Sequence, residues 1–94
     1  MNSMKIGDWV FDDVSYDPDA DVLYLSIGKP RKAVGEQTPE GHVVHFDEES
    51  GEFCAVTVIG VQEILTEAGS VDITVPPKPK PLPRRELDRV LATA

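Results

Sequence analysis

The chain is poor in cysteine, aromatic residues and basic charge, and it has no long hydrophobic run. Its one cysteine, Cys54, excludes an internal disulfide, whereas a small extracellular domain ordinarily carries several. Its most apolar window, Phe53 to Val61, is interrupted by Thr57 and Gly60 and is far too short to span a bilayer. The stretch Met1-Asn2-Ser3-Met4-Lys5-Ile6-Gly7-Asp8 has no basic segment followed by an apolar run, which is the pattern of a secretory leader. Together these gaps predict a cytoplasmic protein that does not enter a membrane. No Gly-rich phosphate loop and no Ser/His/Asp constellation is present, so two familiar signatures of phosphate binding and nucleophilic catalysis are missing. Nine basic side chains face seventeen acidic ones, a net charge of −8. That sign repels phosphates, so nucleic acid is not an expected partner of the body, and neither is an anionic membrane surface.

The acid is concentrated in one part of the chain. Residues 1–75 hold four basic and fifteen acidic side chains, while residues 76–94 hold five basic and two acidic. The change coincides with Pro76-Pro77-Lys78-Pro79-Lys80-Pro81-Leu82-Pro83, which contains five of the eight prolines. Proline fixes φ and removes a donor, so this run favours a semi-rigid polyproline II spacer. The expected organisation is a small β-rich domain over residues 1–75 and a basic arm over residues 76–94.

In the body, apolar and polar residues alternate between turn-forming clusters, the pattern of antiparallel strands. Val14-Ser15-Tyr16 runs into the turn Asp17-Pro18-Asp19-Ala20, and Val22 to Ile27 follows as a strand. Lys32 to Thr38 is a weaker strand, His42 to Phe46 the next, and Asp47-Glu48-Glu49-Ser50-Gly51 a loop of hairpin length. Phe53 to Ile59 is apolar on both sides, which predicts a central strand covered on both faces. Val61, Ile64 and Leu65 fall on one helical face, with Gly69 as the stop signal. Val71-Asp72-Ile73-Thr74-Val75 alternates again and predicts a last, edge strand. In the arm, Leu87, Val90 and Leu91 make an apolar stripe on a short basic helix from Arg84 to Ala92. A helix that short is marginal in water until it docks. The expected fold is therefore α+β: a mostly antiparallel β-meander of about five or six short strands with a short helix, plus a Pro-rich arm and C-terminal helix.

The stretch Tyr16-Asp17-Pro18-Asp19-Ala20-Asp21-Val22-Leu23-Tyr24-Leu25 resembles the opening of the bacterial domain-of-unknown-function family 2283. Members begin Tyr-Asp-x-x-x-Asp-x-Leu-Tyr, matched here by Tyr16, Asp17, Asp21, Leu23 and Tyr24. The resemblance continues through Glu36-Gln37-Thr38, Gly41 to Asp47 and Ala55 to Leu65, and it spans roughly residues 14–66. It implies a small antiparallel sheet with a helix and no known activity. It also implies a link to small toxin-like proteins, and so an antitoxin-like role beside a small basic partner. The start Asp8-Trp9-Val10-Phe11 and the arm lie outside the family pattern.

Asp17, Asp19 and Asp21 are spaced like calcium ligands. An EF-hand loop counted from Asp17 would need Gly at Val22 and Glu at Gly28, so the pattern fails, and the aspartates are expected to bond the turn backbone instead. His42 and His45 are three apart in a strand and point to opposite faces, so they do not share an ion. Cys54 in an apolar strand is expected to be a small core residue. No cofactor and no metal is expected. The reading is a non-enzymatic interaction module that forms a homodimer or larger assembly. Its contact residues are Phe53, Ala55, Thr57 and Ile59 on the sheet and Leu87, Val90 and Leu91 on the arm. The alternative is a small-molecule- or metal-binding protein or enzyme with a pocket around His42, His45 and Cys54.

Overall fold

The computed structural model describes residues 3–77 and 84–92. Two sheets form. A small hairpin pairs β1 (Met4–Ile6) with β2 (Trp9–Phe11), and five strands make the main sheet: β3 (Asp13–Asp17), β4 (Val22–Ser26), β5 (Ala33–Gln37), β6 (Val43–Asp47) and β7 (Phe53–Ile59). Two helices follow, α1 (Val61–Ala68) and α2 (Arg84–Ala92). The main sheet is antiparallel in the order β3-β4-β7-β6-β5. It is thus a hairpin, β3–β4, joined to a meander, β5–β6–β7, because β7 docks beside β4. The α+β expectation holds, and β7 is the central strand. No helix among the described residues is long and apolar enough to cross a membrane.

The register decides which side chains share a face. One face carries Leu25, Val56, Val58, Val44 and Phe53, and these make the core together with Phe11 of the small hairpin. Phe11 is fully buried, and Leu25 and Val56 are each 1% exposed. The core reaches this composition through a β-bulge. His45 pairs with Ala55 and Phe46 with Phe53, so Cys54 is left over. One extra residue reverses the inside–outside alternation. Phe53 therefore turns to the same side as Val56 and Val58. There it meets Trp9, Phe11 and Phe46 edge-on or tilted, with ring centroids 4.8, 6.0 and 6.0 Å away.

Two expectations need correction here. The expected strands begin at Val14, yet Met4–Ile6 and Trp9–Phe11 also pair, around a Gly7–Asp8 turn. Gly7 has φ 59, the positive value that a two-residue hairpin loop requires at its first position. Residues 71–75 were expected to be an edge strand, but they form none. Their alternation is real: Val71, Ile73 and Val75 pack against the core. Their backbone, however, is held by side chains. The Glu40 carboxylate accepts the Thr74 N–H at 3.0 Å and the Thr74 hydroxyl at 2.6 Å. Two residues on, the Trp9 indole N–H donates to the Pro76 carbonyl at 2.6 Å.

The expected arm thus begins attached to the body. Its polyproline stretch from Lys78 to Pro83 lies outside the described residues. The helix from Arg84 to Ala92 is present. Val90 and Leu91 are 62% and 71% exposed, and the Leu87 side chain lies outside those described.

Candidate functional site

Among the described residues, no such segment packs over the second face of the sheet. Cross-strand pairing lays its side chains out in rows. One row runs Ser15, Tyr24, Thr57, Val43, Gln37; its neighbour runs Asp13, Ser26, Ala55, His45, Gly35. Val22 and Ile59 are paired at one end of the face. Tyr24 is 47% and Ile59 46% exposed, while Val22, Val43, Ala55 and Thr57 are half-buried. The centre of this face thus carries no carboxylate, in a body with fifteen. Gly35 keeps the face low at its margin. A Cβ there would lie 2.9 Å from Val43 Cγ1 and 3.5 Å from His45 Nδ1, so a larger residue would push both neighbours aside.

The sheet residues expected to make contacts divide between the two faces. Ala55, Thr57 and Ile59 lie on the open face. Phe53 does not join them, because the bulge buries it in the core at 7% exposure. The expectation that β7 is covered on both sides is corrected likewise: its covered side is the one bearing Val56 and Val58.

The three residues of the alternative pocket do not come together. His42 is 2% exposed on the core side, and its Nδ1 accepts the Ile59 N–H at 3.1 Å. It therefore completes the end of the β6–β7 ladder. His45 is on the open face, where its Nε2 lies 2.9 Å from Thr57 Oγ1. Desolvation lowers its pKa, which favours the neutral ring. Cys54 sits in the bulge with its Sγ 3.5 Å from the His45 carbonyl, and burial pushes its thiol up. That is the direction opposite to an activated nucleophile. Cys54 and His45 do border one shallow depression of about 240 Å³ with Arg31 and Lys29. His42 is not among its walls.

The family-motif residues build a joint. Asp17 Oδ1 accepts the amides of Asp19 and Ala20 at 3.0 and 3.2 Å, an Asx turn that closes the β3–β4 hairpin. Asp21 does something the sequence did not reveal. Helix α1 starts at Gly60, which has no side chain to cap the free amides of its first turn. Asp21 supplies the cap from the hairpin. Its carboxylate accepts the Gln62 and Glu63 amides at 2.8 and 3.2 Å, and its carbonyl accepts the Gly60 amide at 2.8 Å. The Tyr16 hydroxyl donates to the same carboxylate at 2.7 Å. The Gln62 amide, with the Tyr16 hydroxyl, lowers the Asp21 pKa. Asp21 has φ 55, a left-handed conformation that few side chains other than Asn and Asp adopt readily. Leu23, paired with Val58, packs against the core, and Tyr24 opens onto the other face. One signal for the cap was present: a helix preceded by glycine needs its cap from elsewhere.

A second concavity of about 530 Å³ lies on the core side, between Trp9, Phe46, Phe53 and the pair Pro76–Pro77. Among the described residues no three His, Cys, Asp or Glu side chains gather into a metal-binding group. The sheet, the hairpin–helix joint and the open face define a class: a small antiparallel module with one face closed by its own chain and one that the other described residues leave open. A family model described as "Protein of unknown function (DUF2283)" matches residues 13–62, and the chain belongs to that family. The matched span contains all five strands of the main sheet and the hairpin–helix joint as far as Gln62. Comparison with curated proteins returned no match, and neither did comparison with solved structures.

Proposed function

We propose that the protein is a non-enzymatic, cytoplasmic interaction module that self-associates through the open face of its sheet. The observation that carries this reading is the uncharged tract of Val22, Tyr24, Val43, Thr57 and Ile59, with Tyr24 and Ile59 about half exposed, on a strongly acidic body. Burying apolar area is worth about 25 cal/mol per Å², and soluble monomers seldom leave a large apolar tract open. Separation of His42 from His45 and Cys54, and the raised thiol of Cys54, weigh against the pocket reading. The basic helix α2 serves as a docking arm: its Val90 and Leu91 are exposed, and its charge opposes that of the body. A second copy of the acidic body is one acceptor for it, and a separate partner protein is the other. An antitoxin-like role beside a small basic protein fits the acidic charge of the body.

The test is sedimentation of the full chain at micromolar concentration. The expected result is a dimer or larger, shifted toward smaller species by Tyr24→Asp with Ile59→Asp. A monomer throughout rejects self-association.

A further inference from the structure

We propose a second contact that rests on the self-association reading and adds to it: strand β5 pairs antiparallel with β5 of a second copy, joining two sheets edge to edge. The two edges of the main sheet are β3 and β5. An edge strand presents unpaired N–H and C=O groups and pairs readily unless charge, proline or a bulge blocks it. Every residue of β5 is exposed. Within Ala33–Gln37 there is no proline, no lysine and no arginine, and its pairing with β6 is regular.

The hydrogen bonds at the two ends of β5 fix which groups point outward. The Thr38 N–H donates to the His42 carbonyl at 2.7 Å, and the Lys32 carbonyl accepts the Glu48 N–H at 3.0 Å. Even-numbered residues therefore turn their backbone groups toward β6. By the alternation of an antiparallel ladder, Ala33, Gly35 and Gln37 turn theirs away from the sheet. Two copies related by a two-fold axis through Gly35 bring Gly35 opposite Gly35, and Ala33 opposite Gln37. All three outward positions then exchange N–H···O=C bonds with the second copy. Between them Val34 faces Glu36 of the second copy, so no carboxylate faces a carboxylate.

The other edge offers less. The Ile27 N–H donates to the Cys54 carbonyl, so by alternation Tyr24 and its partner Ser15 bond each other, and only Val14 and Tyr16 of β3 turn their groups outward. The register that joins both, centred on Ser15, puts Asp13 opposite Asp17 twice, and like charges directly opposite destabilise a ladder. The charge pattern therefore selects β5 and a second copy of this chain. Pro30 and Pro39 flank β5 and confine the new ladder to this short strand.

The test separates this contact from the open face. The Tyr24→Asp/Ile59→Asp chain removes the face contact, and the edge contact is expected to keep it dimeric at higher concentration, in salt sufficient to screen the acidic bodies. Adding Val34→Glu puts Glu opposite Glu36 at two symmetric positions and is expected to weaken that dimer about tenfold. Adding Glu36→Lys to Val34→Glu restores opposite charges across the ladder and is expected to recover it. Val34 is 57% exposed, so a melt reports whether either variant disturbs the fold. In the unmodified chain, hydrogen exchange read by NMR is expected to slow at Ala33, Gly35 and Gln37 as concentration rises. If the wild type self-associates while these three amides stay fast and Val34→Glu changes nothing, edge pairing is overturned and the face reading stands. If the wild type is monomeric at every concentration, both fall.

Discussion

The two faces of the main sheet are built from the same strands, yet they end in opposite states: one is lined by Leu, Val and Phe, the other mixes Tyr24, Thr57 and Val43 with small and polar residues. One is closed by Phe11 and by Val71, Ile73 and Val75, segments that make no ladder with it. The other keeps Tyr24 and Ile59 half exposed. What separates them is side-chain bonding at the ends of the chain's own cover. Glu40 grips Thr74 and Trp9 grips Pro76, and both grips hold chain against the core side. A sheet in a protein of this size does not need apolar cover on both faces; it needs cover on one.

Four perturbations sharpen the contrast, from the largest effect to the smallest. Phe11→Ala, at a fully buried position, is expected to cost about 3–5 kcal/mol by chemical denaturation, a large fraction of the stability of a small domain. Asp21→Ala removes the cap from α1 and the partner of Tyr16, and places alanine at φ 55. A fall in melting temperature of about 5 °C or more is expected. Asp21→Asn keeps an acceptor and tolerance of that φ, so it should lose clearly less.

Acid should loosen the cover before it melts the sheet. The Thr74 hydroxyl and amide hold the Glu40 pKa down to about 2 from 4.5. A carboxylate with a depressed folded pKa contributes stability above its unfolded value and loses it as pH falls toward the folded one. The 71–77 segment should therefore release between about pH 4.5 and 2. Trp9 is the single tryptophan and bonds Pro76, so its fluorescence reports the step. Glu40→Gln should flatten the step; an unchanged step would assign it to another group. The smallest effect on folding belongs to the open face. Ile59→Asp should change stability by no more than about 0.5 kcal/mol while reducing assembly.

The main strands between Val14 and Ile59 were legible in the sequence because short apolar or alternating runs are separated there by Pro, Gly and Asp turns. The small hairpin was not, since strands of three residues, Met4–Ile6 and Trp9–Phe11, are too short to show a period. Residues 71–75 misled for a different reason: alternation tells which side chains are covered, and is silent on what accepts the backbone hydrogen bonds. Phe53 was assigned to the wrong face because parity counting assumes no unpaired residue, and Cys54 is one. For the joint, the residues Tyr16, Asp17 and Asp21 were visible as a motif. The role of Asp21 was hidden because its partner amides lie 41 and 42 residues further along the chain.

The central claim is that the open face is a contact surface. Sedimentation velocity of the full-length chain over a micromolar dilution series tests it most directly, beside the Tyr24→Asp/Ile59→Asp variant with its melt as a folding control. The account predicts a wild type of dimer mass or more, and a variant that still melts cooperatively but is displaced toward smaller species. A wild type that sediments as a monomer throughout, or a variant identical to an associating wild type, would contradict it.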